Sequence, residues 1–290
     1  MTKIKWIFAL NDEAIANYGD LVRVAVQSAS IFDSLIPILL FDGVPGEFTR
    51  EMEDKSVQVV FARSRFYDAM AAIAEARQSR HWLSAGPFLR LEIPRLAREL
   101  GWLDPFVFYT DVDVIFQRDP TPLLVDLEPR YFACAGENFV NKPLYMNTGA
   151  MWMNLEALQR IEPQFEAWTR ANLEACLDFS FDQGAFRVFF NPLHRACWKL
   201  GISNSLFYGV NSRLPIPTWQ WDVLPDELNW KPYWEPNPNA AIIHFHGLKP
   251  TSRQALERGE LEPFIARLHT PYWDECASRW DELLAEAHTL

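Results

Sequence analysis

Residues 106–113, Phe-Val-Phe-Tyr-Thr-Asp-Val-Asp, set two carboxylates one residue apart at the end of an apolar run with strand character. On an extended backbone alternate side chains share a face, so Asp111 and Asp113 are expected to project together while Val112 turns away. Two convergent carboxylates repel unless something positive lies between them. A hard divalent cation, Mg²⁺ or Mn²⁺, meets that need, because it is commonly held by one or two carboxylates together with oxygens of a substrate phosphate. An isolated Asp-x-Asp also describes an acidic loop after a buried strand, so the weight falls on the rest of the chain.

The elements that would position these residues alternate. Ile4–Leu10 reads as a strand and residues 18–32 as a helix, with Leu21, Val22, Val24, Ala25 and Ala29 on one face. Ile36–Phe41 and Val57–Phe61 are short apolar runs suited to strands buried on both faces. Tyr67–Gln78 is alanine-rich and helical, and residues 84–100 predict a further helix, divided by Pro94 and closed by Gly101. Farther on, Gly149–Leu155 predicts a strand, Asp182–Phe190 a helix and Ala240–Phe245 a strand. Two helices, 252–268 and 272–287, follow. This alternation predicts an α/β sandwich with a largely parallel central sheet, in which ligands collect at the carboxyl ends of the strands. With no repeat, low-complexity tract or linker, residues 1–290 are expected to form one domain. About 1–120 and about 121–250 would be its two halves, and 251–290 the C-terminal helices.

The 290-residue chain is 49% hydrophobic and 22% charged, with a formal net charge of −11. That balance argues against nucleic-acid binding, which needs clustered Lys and Arg to neutralise phosphates. It leaves room for an anionic nucleotide if a metal and a few local cations reverse the field at the site. Cys134, Cys176, Cys197 and Cys276 are far apart and form no C-x-x-C pair, as expected for free thiols in a reducing cytosol. The N-terminal apolar run ends at Asn11-Asp12-Glu13, which reads as a strand rather than a signal peptide. No apolar stretch has the length of a membrane span. The expected location is cytoplasmic, with the terminal helices open to a partner or to peripheral membrane contact.

Four islands, in order, carry a resemblance: Arg90-Leu-Glu-Ile-Pro ahead of Phe108-Tyr-Thr-Asp-Val-Asp-Val; Met146-Asn-Thr-Gly-Ala-Met-Trp-Met-Asn-Leu; Asp182-Gln-Gly-Ala; and His244-Phe-His-Gly-Leu-Lys-Pro. From about residue 4 to residue 250 the chain resembles the GT-A nucleotide-sugar glycosyltransferases, in particular glycosyltransferase family 8 and its bacterial relatives. The resemblance implies a Rossmann-like GT-A fold in which about 1–120 is the nucleotide-binding half and about 121–250 the donor-sugar and acceptor half, with a small acceptor-side lobe. It implies a hexosyltransferase that moves a hexose from a nucleotide diphosphate sugar, a UDP-sugar by preference, to an acceptor hydroxyl with retention of configuration. The acceptor would be a carbohydrate, a lipid-linked sugar or another hydroxyl compound.

Site roles follow from the same resemblance. Asp111, Asp113 and His244 would hold Mn²⁺ (or Mg²⁺) against the diphosphate. His246 shares a face with His244, either backing up the metal site or packing beside it. Gly247 would let the backbone approach a phosphate and Lys249 would supply a charge for it. The stretch between Gly247 and Lys249 is one residue shorter than the usual family spacing, and Thr251 stands where tryptophan is usual. Arg90 would contact the donor. Asn147 and Asp182 would bond donor-sugar hydroxyls, Asp182 also being placed to cap its helix. Gln183 would lie near the anomeric carbon, Asn154 near sugar or acceptor or in a turn, and Asp12 and Tyr18 near the base and ribose. Trp219, Trp221, Trp230, Tyr233 and Trp234 would form an acceptor wall or a hydrophobic lid, with Asp222, Asp226 and Glu235 as possible hydroxyl partners.

Two other readings fit parts of this pattern. A sugar nucleotidyltransferase shares the fold class and uses a metal, but the chain has no G-x-x-x-x-G-K-[ST] or G-x-G-x-x-G phosphate loop. The other is a catalytically inert nucleotide-sugar-binding protein, against which stands the presence of all three metal-ligand candidates. Neither G-x-S-x-G nor H-E-x-x-H occurs, which disfavours the common hydrolases.

Overall fold

The structure is a computed structural model, which describes residues 3–78, 85–137, 145–202 and 219–289. Ser84 and residues 211–218 of the proline- and tryptophan-rich stretch lie outside the described residues. A seven-stranded sheet contains β1 (Ile4–Asn11), β2 (Leu35–Asp42), β3 (Gln58–Phe61), β4 (Phe106–Thr110), β6 (Phe132–Gly136), β7 (Met146–Asn154) and β8 (Asp222–Val223), in the order β3-β2-β1-β4-β7-β6-β8. A separate two-stranded ribbon pairs β5 (Val114–Phe116) with β9 (Ile242–His244). Six strands of the large sheet run one way; only β7 is reversed, antiparallel to both β4 and β6.

The strand sequences explain this sheet. In β1, Ile7 and Ala9 enter one core while Trp6, Phe8 and Leu10 enter the other; in β4, Val107 and Tyr109 oppose Phe106 and Phe108. Both faces are therefore apolar, as parallel strands covered by helices require. The helix Ile15–Ala29 covers one face, with Leu21, Val22, Val24, Ala25, Val26 and Ala29 buried. The long C-terminal helix Pro271–Thr289 packs on it through Trp273, Cys276, Ala277, Trp280 and Leu283.

Several expectations change. Residues 84–100 split into a short helix (Ala85–Phe88), a 3-10 turn (Leu89–Glu92) and a helix (Ile93–Glu99), with Pro94 in the first turn of the last, where its missing N–H costs nothing. Gly101, at φ +66°, closes that helix: its N–H bonds Arg98 O and the Trp102 N–H bonds Ala97 O, the two bonds of a Schellman motif. The expected helix 252–268 is instead two short pieces, Arg253–Glu257 and Pro263–Ala266, because Gly259 at φ +67° and Pro263 interrupt it. All four cysteines are free. No helix among the described residues is long and apolar enough to cross a membrane.

Candidate active site

Strand topology concentrates polar residues at one edge. β1 and β4 are neighbours, and β1 pairs with β2 on its other side, so chain order reverses at the carboxyl ends of β1 and β4. Such a switch point opens a crevice. There a cavity of about 700 Å³ is lined by Leu10 and Asn11 from β1, Asp111 and Asp113 after β4, and Asp182, Gln183, His246 and Lys249 from later in the chain. Because β7 runs backwards, its first residues, Asn147 and Thr148, reach the same edge.

Asp111 and Asp113 converge, though not by strand alternation. β4 ends at Thr110, and both aspartates sit in the bend that carries the chain from the large sheet into β5. That bend delivers His244. Val114 pairs with His244 in the antiparallel ribbon, and the Phe245 N–H bonds Asp113 O at 2.9 Å, which sets the imidazole beside the acids. His244 Nε2 is 3.2 Å from Asp113 Oδ1 and 4.0 Å from Asp111 Oδ2. One ligand atom from each of the three residues falls within a 4.8 Å cluster. Two ligands on one cation at about 2.1 Å lie no more than about 4.2 Å apart, so both imidazole–carboxylate distances suit a shared ion. The oxygen, oxygen, nitrogen donor set fits Mn²⁺ or Mg²⁺ completed by substrate oxygens.

Lys249 donates to Asp113 Oδ2 and, at 2.9 Å, to Phe245 O. Burial would raise the Asp113 carboxyl, but Lys249 and His244 outweigh it and hold the group well below the usual carboxylate range. Asp111 is half-exposed to the cavity and accepts from Tyr109 Oη at 3.1 Å.

The Arg90 guanidinium is buried under the cavity floor rather than exposed. It pairs with Asp182, donates to Thr148 O, approaches Asp111 Oδ1 at 3.4 Å and stacks 4.6 Å from the Tyr109 ring centroid. Asp182 does not cap its helix: Ser180 occupies the N-cap of Phe181–Phe189, and Asp182 turns inward to Arg90. Burial pushes the Asp182 carboxyl up, only partly offset by Arg90.

The amides are also engaged. Gln183 Oε1 accepts from Thr148 N at 2.9 Å, and Gln183 Nε2 donates to Glu137 at 2.8 Å. His246 stands apart from the three-residue cluster; its Nδ1 lies 2.9 Å from Tyr233 Oη, and burial, reinforced by His244, pushes its pKa well down. Gly247 does not line the cavity: it adopts φ +84°, and a side chain there would meet Leu268 Cδ1 at 2.5 Å. Tyr18 lines the cavity, whereas Asp12 lines an adjoining one of about 200 Å³ with Asp42, Arg63 and Tyr67.

Asn154 caps the helix Leu155–Ala171 through the Ala157 N–H and lies away from the cavity. None of the five singled-out aromatics lines the cavity beside Asp111 and Asp113. Trp221 and Trp230 are buried, and Tyr233 donates to Glu137 O at 3.0 Å. Asp222 accepts from Arg130 N at 2.8 Å, Asp226 lies 3.5 Å from Gly136 N, and the Glu235 carbonyl accepts from Trp230 Nε1 at 3.0 Å.

No protein-family model matches the sequence, and no curated protein matches it. Solved structures do. The galactosyltransferase LgtC, in complex with donor and acceptor sugar analogs, superposes with a TM-score of 0.59 at 16% identity, covering 98% of this chain and 96% of that one. The glycosyltransferase GlyE of Streptococcus pneumoniae TIGR4 superposes with a TM-score of 0.55 at 19% identity, covering 99% of this chain. The match spans 64% of GlyE's length, just under two thirds. The chain has the GT-A glycosyltransferase fold. At 16–19% identity the likeness speaks for the architecture alone.

Within this GT-A frame, three residues beyond the sequence-predicted set shape the site. Asn229 is fully buried, with Oδ1 2.7 Å from His244 Nδ1. Gly149 lies under the imidazole: an added Cβ would overlap His244 Cε1 and sit 2.6 Å from Nδ1 and 2.7 Å from Asn147 Oδ1. The glycine of Met-Asn-Thr-Gly is thus the floor on which the histidine rests, which its place in that island hints at but does not explain. Gly149→Ala is expected to displace the ring and lower Mn²⁺ affinity by roughly 10- to 100-fold, with an overpacking cost of about 1–3 kcal/mol. Calorimetric Mn²⁺ titration and thermal melting check both; unchanged affinity would contradict the packing argument.

The third is Lys231, fully buried, whose Nζ donates to Gly136 O at 2.8 Å and Asn229 O at 2.7 Å. Burial lowers its pKa to about 7, partly opposed by Asp226 and Glu137. Since the unfolded chain holds that proton up to about pH 10.4, it binds more protons than the fold between pH 7 and 10. Stability contributed through Lys231 therefore rises with pH across that window. The melting temperature of the wild type relative to Lys231→Met is expected to climb by several degrees from pH 7 to pH 10; a pH-independent difference would contradict the buried-lysine assignment.

Proposed function

We propose that this protein is a metal-dependent hexosyltransferase that moves a hexose from a UDP-sugar to an acceptor hydroxyl with retention of configuration. The observation that carries the reading is the convergence of Asp111, Asp113 and His244 at the edge of a cavity large enough for a nucleotide sugar, at the switch point of a GT-A sheet. LgtC, which shares that fold, is a galactosyltransferase described with donor and acceptor sugar analogs.

In this reading the bond between the anomeric carbon and the diphosphate oxygen breaks as the acceptor oxygen bonds the same carbon, and the acceptor's proton passes to the leaving oxygen. Developing charge is oxocarbenium-like on the sugar and negative on the diphosphate. A divalent cation held by Asp111, Asp113 and His244 would supply Lewis-acid stabilisation of the leaving group. Lys249, which lines the cavity and donates to Asp113 Oδ2, would add a point charge for that phosphate. Asp182, Asn147 and Gln183 form the wall against which the sugar ring would lie. Both ends of the Gln183 amide are held, so its dipole is fixed before substrate arrives. An amide is a poor nucleophile, so Gln183 serves as electrostatic support beside the anomeric carbon.

A panel of nucleotide sugars screened by thermal shift with and without Mn²⁺ tests the reading. Stabilisation by a UDP-hexose that requires Mn²⁺, followed by UDP release, is the expected outcome. Release of pyrophosphate from a nucleoside triphosphate would instead identify a nucleotidyltransferase.

A further inference from the structure

We propose that Asn229 is a positioning residue for His244: it keeps the proton on Nδ1 and thereby turns the Nε2 lone pair toward a cation shared with Asp111 and Asp113. The inference rests on the metal-site reading above and assigns it a residue outside the sequence-predicted set. The surrounding donors decide which amide atom faces the imidazole. The Gly149 N–H can only donate, so the Asn147 atom 3.1 Å from it is the oxygen. That oxygen also receives Asn229 Nδ2 at 2.9 Å, so the Asn229 atom 2.7 Å from His244 Nδ1 is the oxygen of its amide. An amide oxygen only accepts, hence Nδ1 carries a proton.

A second anchor fixes the far end. The Thr148 N–H identifies Gln183 Oε1 at 2.9 Å, which leaves Gln183 Nε2 to donate to the Glu137 carboxylate at 2.8 Å. Asn147 Nδ2 closes the gap to Gln183 Oε1 at 3.3 Å. Donation thus runs one way, from His244 through Asn229, Asn147 and Gln183 to Glu137. Reversing any amide would set donor against donor or acceptor against acceptor. Such a chain polarises in a single sense, and positive charge at Nε2, which strengthens the Nδ1–H donor, polarises it in that same sense. Asn229 is completely buried, a place where an apolar residue of similar size would avoid the desolvation of an amide. What the asparagine supplies is the acceptor that selects one nitrogen of the imidazole.

Metal-ligating histidines usually donate their second N–H in this manner, and loss of the partner typically lowers metal affinity about 10- to 100-fold. The test uses the full chain in two measurements. With ¹⁵N-labelled histidine in metal-free protein, at a pH where imidazole is neutral, long-range ¹H–¹⁵N correlation reads which ring nitrogen of His244 is protonated. The signal is assigned by its absence in His244→Gln. Nδ1 is expected to be protonated in the wild type and the proton to move to Nε2 in Asn229→Leu, where only Asp113 remains to accept it. Mn²⁺ calorimetry should then show about a 10- to 100-fold weaker Kd for Asn229→Leu.

A wild type with Nε2 alone protonated overturns the proposal, whether or not any variant folds. Equal Mn²⁺ affinity in folded Asn229→Leu overturns the positioning role while leaving the metal site intact. A wild type that takes up no Mn²⁺ overturns the metal reading itself, and the proposal with it, whatever the tautomer.

Discussion

Asp113→Asn is expected to lower UDP-sugar turnover by on the order of 10³-fold, with Mn²⁺ binding lost and the fold kept. Asp113 touches both the imidazole and the ammonium: one oxygen faces His244 Nε2 at 3.2 Å and the other receives Lys249. On the proposed reading, removing its charge would withdraw a ligand and release Lys249 from its anchor beside the site. Asparagine keeps the shape, and the backbone bond from Phe245 N to Asp113 O does not depend on the side chain. Circular dichroism should therefore be unchanged. Turnover within tenfold of wild type, with the same Mn²⁺ dependence, would contradict the assignment.

Arg90→Met is expected to act on stability as strongly as Asp113→Asn acts on turnover. The guanidinium is buried among Asp182, the Thr148 carbonyl and the Tyr109 ring. Removing it leaves the buried Asp182 carboxylate uncompensated, which costs about 3–5 kcal/mol. For a chain of this size that corresponds to a melting temperature lower by roughly 10 °C. Arg90→Lys is expected to rescue little, since a single ammonium cannot reach Asp182 and Thr148 O in two directions while stacking on an aromatic ring. The double variant Arg90→Met with Asp182→Leu should recover most of the lost stability, because the pair couples, yet leave activity low. Equal melting temperatures for Arg90→Met and wild type would contradict the ion-pair account.

The sheet was largely legible because its strands are apolar on both faces. Runs such as Ile4–Asn11 and Leu35–Asp42 carry enough burial signal to be found without partners. Helix Leu155–Ala171 is absent from the sequence reading: Leu155, Leu158, Ile161 and Phe165 share one face behind the Asn154 cap, but Pro163 in mid-helix breaks the pattern. Residues 252–268 failed as one helix because apolar spacing outweighed the breakers Gly259 and Pro263 in the reading.

At the site, residue types were legible and causes were not. Asp111 and Asp113 do converge, but through a bend between two sheets, since pairing of Val114 with His244 is a contact across 130 positions of sequence. Arg90 and Asp182 were each expected to face a donor, and their pairing beneath the cavity appears only when distant islands meet. Asn229 and Lys231 sit in a stretch with no periodicity, where neither charge nor spacing marks a buried role. Gly149 has an explanation only once the imidazole is seen lying against it.

The most direct measurement is anomalous diffraction at the manganese edge from a crystal of the full chain grown with MnCl₂ and UDP. A single peak bounded by Asp111, Asp113 and His244 Nε2, with diphosphate oxygens completing its coordination, is the predicted result. Manganese bound elsewhere with UDP in the cavity, or none at those three side chains, would contradict the account.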